Sequence, residues 1–103
     1  MTQHIRQFCH ERDWLQFHNP KDLAIALVLE ANEVLEPFRF NNHEVDKEYV
    51  ARELADVLNF LLRLADVLDI DLAHWHDIKL KENAKKYPID ICRGKPFKYS
   101  EYQ

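Results

Sequence analysis

Two copies of one acidic phrase, Glu30-Ala31-Asn32-Glu33-Val34-Leu35 and Glu53-Leu54-Ala55-Asp56-Val57-Leu58, lie inside the two most apolar stretches of the chain. In each phrase the acids stand one helical turn apart, so Glu30 and Glu33 share one helix face and Glu53 and Asp56 share another. A carboxylate withdrawn from water costs on the order of several kcal/mol unless a cation compensates it. For four of them a divalent metal is the compact compensator. Oxygen-only ligands suit a hard cation, Mg²⁺ or Mn²⁺, and an incomplete protein cage suits Mg²⁺ held together with substrate phosphates. The chemistry this pattern points to is performed on a phosphate ester or anhydride.

A Glu-x-x-Glu pair is common on solvated helix faces. Two features tell against that reading here. The apolar run 23–29 leads directly into Glu30, leaving no broad polar face, and the phrase recurs with the same spacing and the same Val-Leu sequel. Leu23, Leu27 and Val34 border Glu30, while Val50, Leu54, Val57 and Leu61 border the second pair. Packing one apolar stripe on the other turns both acidic edges toward one cleft. A di-iron bundle would need Glu-x-x-His motifs, which the chain lacks. His74 and His76 flank Trp75 and point to different helix faces, which argues against a zinc site.

The elements that must hold these acids are helices. The sequence of 103 residues has one glycine and four prolines, and this composition predicts an all-α chain forming one domain over 1–103 with a tail at 89–103. A first helix is expected over 2–15, capped by Thr2. Asn19 caps a second, with Pro20 in its first turn, running to about Pro37. A loop over 38–46 contains Asn41-Asn42-His43, and a third helix spans 45–70. Asp71 caps a fourth that ends near Tyr87, because Pro88 follows. The tail mixes Arg93, Gly94, Lys95, Pro96 and Lys98 with aromatics, a composition expected to be irregular.

The net charge of −4 and pI near 5.8 exclude the broad basic surface that long nucleic acid requires. No signal region and no bilayer-spanning run is present, so a cytoplasmic location is expected, away from membranes. Cys9 and Cys92 are far apart and lack Cys-x-x-Cys partners, so both should remain thiols. The wide apolar arcs of helices two and three predict self-association.

At the four acids the chain resembles the MazG-like all-α nucleoside triphosphate pyrophosphohydrolases, whose signature is Glu-x-x-Glu on one helix and Glu-x-x-Asp on the next. The likeness is nearest to the small dCTP pyrophosphatase branch. It runs through Glu11-Arg12-Asp13-Trp14-Leu15-Gln16-Phe17-His18-Asn19-Pro20, through 79–88, and through Lys98-Tyr99-Ser100-Glu101. The resemblance implies a four-helix bundle with an irregular C-terminal tail, assembled as a homotetramer, a dimer of dimers, with pockets completed by neighbouring subunits. It implies cleavage between the α and β phosphates of a nucleoside triphosphate, dCTP or a related or modified deoxynucleotide, as a house-cleaning reaction on the nucleotide pool. Glu30, Glu33, Glu53 and Asp56 then form the catalytic set and hold Mg²⁺ (or Mn²⁺), with Glu33 the first choice to orient or deprotonate the attacking water.

The same resemblance assigns Trp14, Phe40 and Phe60 to the base, Phe40 and Phe60 standing where close relatives carry tryptophan and tyrosine. Lys79, Asn83 and Lys86, which share a face of helix four, are assigned with Tyr87 to triphosphate and sugar, and Lys98 to phosphate. Ile5 falls where close relatives have a histidine, with His4 adjacent. The competing reading is a catalytically silent helical module for nucleotide sensing or protein binding. Such a module need not retain all four acids together with Lys79, Asn83 and Lys86, and this chain has them all.

Overall fold

The computed structural model describes residues 1–40 and 44–94, and every regular element among them is helical. Five α-helices follow in order: α1 (Thr2–Glu11), α2 (Pro20–Leu35), α3 (Lys47–Val67), α4 (Leu72–Lys86) and the short α5 (Ile89–Cys92). The chain divides into two compact units, Met1–Ile70 and the part that begins at Asp71. In the first unit α3 packs most extensively on α2 and also on α1.

α1 stops at Glu11, short of the expected 15. Asp13 adopts a left-handed conformation with φ of 55°. The Asp13 N–H then bonds the His10 carbonyl at 3.0 Å and the Trp14 N–H bonds the Cys9 carbonyl at 2.9 Å, which satisfies the terminal carbonyls and ends the helix. This reversal carries Trp14 back onto α1, where its ring meets Phe8 edge-on at 5.8 Å. A 3₁₀ turn at Leu15–Phe17 then leads to α2. Thr2 is inside α1 rather than capping it, because the first helical carbonyl is that of Met1, which accepts from the Ile5 N–H at 3.1 Å.

α2 begins as expected, with Asn19 Oδ1 accepting from the Asp22 N–H at 2.8 Å and Pro20 in the first turn. It ends at Leu35 and passes into a 3₁₀ turn at Glu36–Phe38, because Pro37 has no N–H to continue the α-helical ladder. α3 starts at Lys47, two residues later than 45, since Asp46 is the cap: its Oδ1 accepts from Glu48 N–H at 3.0 Å and from Tyr49 N–H at 3.3 Å. Asp46→Ala is expected to destabilise the fold by about 1 kcal/mol, measured by urea unfolding. No loss of stability would show that this cap does not anchor the helix carrying Glu53 and Asp56.

α3 ends at Val67, before the expected 70, where Asp69 (φ 55°) repeats the device of Asp13 and Ile70 N–H bonds the Ala65 carbonyl at 2.8 Å. Asp71 caps α4 through the His74 N–H at 3.2 Å. The opening of the expected irregular tail is the helical turn α5, which Gly94 follows at a φ of 79°. Asn41-Asn42-His43 and the rest of the tail, Lys98 included, lie outside the described residues.

The core of the described residues is thin: Cys9, Leu23 and Ala65 are buried, and with them the charged Arg63. Cys9 and Cys92 are free thiols. One face of α2 is both apolar and exposed, with Ile25, Val28, Leu29 and Leu35 at helical spacing and Val28 and Leu29 at 68% and 61% exposure. No helix among the described residues is long and apolar enough to cross a membrane.

Candidate metal and nucleotide site

The two acidic phrases meet where α2 packs on α3. Glu30, Glu53 and Asp56 each offer a carboxylate oxygen, and these oxygens all lie within 4.8 Å of one another. Glu30 and Glu53 are half-buried and Asp56 is exposed. None of the four acids pairs with a lysine or arginine among the ion pairs of the described residues. Burial, and then the negative charges of Asp56, Glu53 and Glu33, push the Glu30 carboxyl above its ordinary range. The Tyr49 hydroxyl is pushed up by the same acidic field, burial coming first and then Glu53, Glu33 and Glu36. Hard oxygen donors that crowd without a protein cation are the donor set that a divalent metal fits.

Glu33 stands outside this trio. It is exposed, yet near enough for its charge to act on Glu30. The structure therefore separates three carboxylates that can share an ion from one that sits beside them.

Asp56 is also part of the wall of a cavity of about 490 Å³ in the first unit. Its apolar lining is Ile5, Phe8, Cys9, Trp14 and Phe60, and its polar lining, besides Asp56, is His4, His18, Asn59 and Arg63. An aromatic slot thus opens directly beside the acids. The Arg12 guanidinium lies over the Phe8 ring, 3.7 Å from its centroid.

Of the aromatics assigned from sequence, Trp14 and Phe60 line this cavity. Phe40 does not: it is 91% exposed, and the nearby Arg39 guanidinium lies 5.2 Å from its ring centroid. In the second unit Lys79, Asn83 and Lys86 are exposed along α4, with Lys79 Nζ donating to Glu82 at 3.3 Å. The Tyr87 N–H closes that helix on the Asn83 carbonyl at 2.8 Å.

The polar cavity residues that sequence reasoning did not single out are Asn59, Arg63 and His18. Arg63 is buried; its Nε donates to His18 Nδ1 at 3.0 Å and its Nη1 to Asp66 Oδ2 at 2.6 Å. Arg6 closes the network from α1, its Nε donating to Asp66 Oδ2 at 2.9 Å. The hydrogen bond from Arg6, joined by the charges of Arg6 and Arg63, holds the Asp66 carboxyl below the usual range against the opposing effect of burial. Burial, and secondly the Arg63 charge, push His18 down, which favours its neutral imidazole. A signal for part of this set was present, because positions 56, 59, 60 and 63 continue the face of the second acidic pair at helical spacing.

Carboxylates pooled by two consecutive helices beside an aromatic cavity make this an all-helical fold with an acidic site at its wall. A pyrophosphatase from Archaeoglobus fulgidus has a solved structure that matches with a TM-score of 0.72 and 36% identity, over 82% of this chain and 85% of that one. The dCTP pyrophosphatase 1 of Bos taurus is 34% identical over 92% of this chain, and that of Homo sapiens is likewise 34% identical over 92%. The chain spans 62% and 61% of the lengths of these two relatives. No protein-family model matches the chain. It belongs to the MazG-like all-α nucleoside triphosphate pyrophosphohydrolases.

Proposed function

We propose that this chain is a Mg²⁺-dependent nucleoside triphosphate diphosphatase of the cytoplasm. It cleaves dCTP, or a related or modified deoxynucleotide, between the α and β phosphates to a monophosphate and pyrophosphate. The observation that carries this reading is Asp56, which belongs both to the uncompensated carboxylate trio and to the wall of the aromatic cavity. A ligand with a flat base in the cavity would have its phosphates beside the acids.

In this reading Glu30, Glu53 and Asp56 are the ligands of Mg²⁺ (Mn²⁺ having the same donor preference), and Glu33 holds the attacking water and accepts its proton. Bound there, Mg²⁺ supplies neutralisation of phosphate charge and a lowered pKa of water. Trp14 and Phe60 stack on the base, an interaction worth about 1–3 kcal/mol per aromatic. Lys79, Asn83, Lys86, Tyr87 and Lys98 keep the roles toward triphosphate and sugar that the family resemblance implies. The exposed stripe Ile25, Val28, Leu29 and Leu35 supports self-association as a homotetramer, a dimer of dimers. Phe40, exposed on its own chain, is then available to a neighbouring copy.

The test is a panel of unmodified and modified nucleoside triphosphates assayed for both monophosphate and pyrophosphate, with Mg²⁺ and with EDTA. Equimolar release of the two products that needs Mg²⁺ is the expected result. No release from any member of the panel would overturn the reading.

A further inference from the structure

Beside its aromatics the cavity lining carries a pair of polar side chains, His18 and Arg63, whose free hydrogen-bonding groups are donors. We propose that His18, oriented by Arg63, reads the edge of the nucleobase, and that the donor-only wall these two residues form selects cytosine over thymine and uracil. This deepens the proposed function and rests on it for the identity of the ligand.

Arg63 fixes the tautomer. A guanidinium has only donors, so the 3.0 Å bond from Arg63 Nε requires His18 Nδ1 to be the acceptor. In a neutral imidazole the proton must then be on Nε2, which makes the free ring nitrogen of His18 a donor. Burial and the Arg63 charge both disfavour a second proton on this ring. Arg63 is itself buried and held in place by Asp66, which also accepts from Arg6. The remaining N–H groups of Arg63 add further donors and no acceptor.

Asn59 and His4 also line the cavity, but both are exposed and neither has a fixed hydrogen-bond partner among the described residues. Each can turn a donor or an acceptor toward a ligand, so neither selects a base by itself. The His18 and Arg63 pair cannot turn. Cytosine presents two adjacent acceptors, O2 and N3, to such a wall. Thymine and uracil present O2 but place an N–H at position 3, donor against donor. A polar site built to match one edge rejects the mismatched one because its own buried groups are left unpaired. In this scheme His18 presents its Nε2–H to the base, and Arg63 both orients His18 and adds donors to the same wall.

The experiment measures kcat/KM for dCTP, dTTP and dGTP in the wild type, in His18→Gln and in Arg63→Lys. Glutamine can rotate its amide oxygen toward the N3–H of thymine, and lysine keeps a cation for Asp66 but lacks the Nε donor that fixes His18. Each variant should lower the dCTP-to-dTTP ratio by about tenfold or more, an outcome that a purely structural role would not produce. Nitrogen-15 NMR of the imidazole in the wild type should show the Nε2–H tautomer at pH 7. An unchanged ratio in either folded variant, an Nδ1–H tautomer, or a wild-type preference for dGTP would overturn the assignment. Calorimetric titration with dCMP and dTMP separates this inference from the catalytic one. If no triphosphate is hydrolysed, the catalytic reading falls, while tighter binding of dCMP by about tenfold or more still supports the base-reading wall; equal binding, or none, overturns it.

Discussion

Asp56→Asn is expected to reduce pyrophosphate release by roughly 10²–10³-fold while making the metal-free protein more stable. The two effects have one cause. Three carboxylates share a space of less than 5 Å without a protein cation, and Glu30 responds by holding its proton above the ordinary range. The sign follows from linkage. A carboxyl whose folded pKa is raised contributes stability below its unfolded value, and that contribution is lost as pH rises through the folded pKa. At neutral pH the metal-free fold therefore carries repulsion that a divalent cation held by these acids would relieve. Replacing the Asp56 carboxylate by an amide removes part of the repulsion and a ligand together. Thermal unfolding in EDTA should give the variant a midpoint about 2 °C higher than the wild type, a modest figure because Asp56 is exposed and screened. Added Mg²⁺ should raise the wild-type midpoint in proportion to the logarithm of its concentration and raise that of the variant much less. A variant that is less stable in EDTA, or that keeps the full response to Mg²⁺, would remove the acids from the metal site.

The four acids and the helices that carry them were legible in the sequence because both depend on short-range pattern. Acids three apart, Asn19-Pro20 and Asp71 are local signals, and the helices that hold them begin within two residues of where the pattern puts them. The ends were harder to read. With one glycine in the chain, α1 and α3 close on left-handed aspartates at 13 and 69, where no glycine announces the stop. That misjudged end matters for function, because the reversal at Asp13 is what turns Trp14 onto Phe8 and into the cavity wall. Long-range pairing was out of reach. His18 and Arg63 are 45 residues apart, and Arg6 and Asp66 are 60 apart. Nothing in their local spacing says that one network joins them. Phe40 shows the converse, an aromatic placed in the pocket by resemblance that the fold leaves in solvent.

Asp66→Ala should cost the fold about 3 kcal/mol, toward the lower end for breaking a buried ion pair because Asp66 keeps some solvent contact. The loss comes from what remains. Arg63 has a side chain only 10% exposed, and without Asp66 its charge stays in the interior with a neutral imidazole as partner. Arg6, about half exposed, loses little when its partner goes. Pairing Asp66→Leu with Arg63→Met removes both charges and should recover most of the stability in urea unfolding, since well-packed apolar residues commonly equal or exceed a buried ion pair. The acid limb separates the two explanations of any loss. The Asp66 carboxyl is held below its usual range, so its contribution is present above about pH 4 and lost as pH falls through the depressed value. The wild type should lose stability there more steeply than the double variant; equal acid slopes, or a double variant as unstable as Asp66→Ala, would show that the network does not act as an ion pair. A domain whose buried apolar core is limited to Cys9, Leu23 and Ala65 among its described residues has little stability to give away. If apolar residues replace that arginine without loss of stability, what its charge adds to the fold is the donors it fixes at the cavity wall.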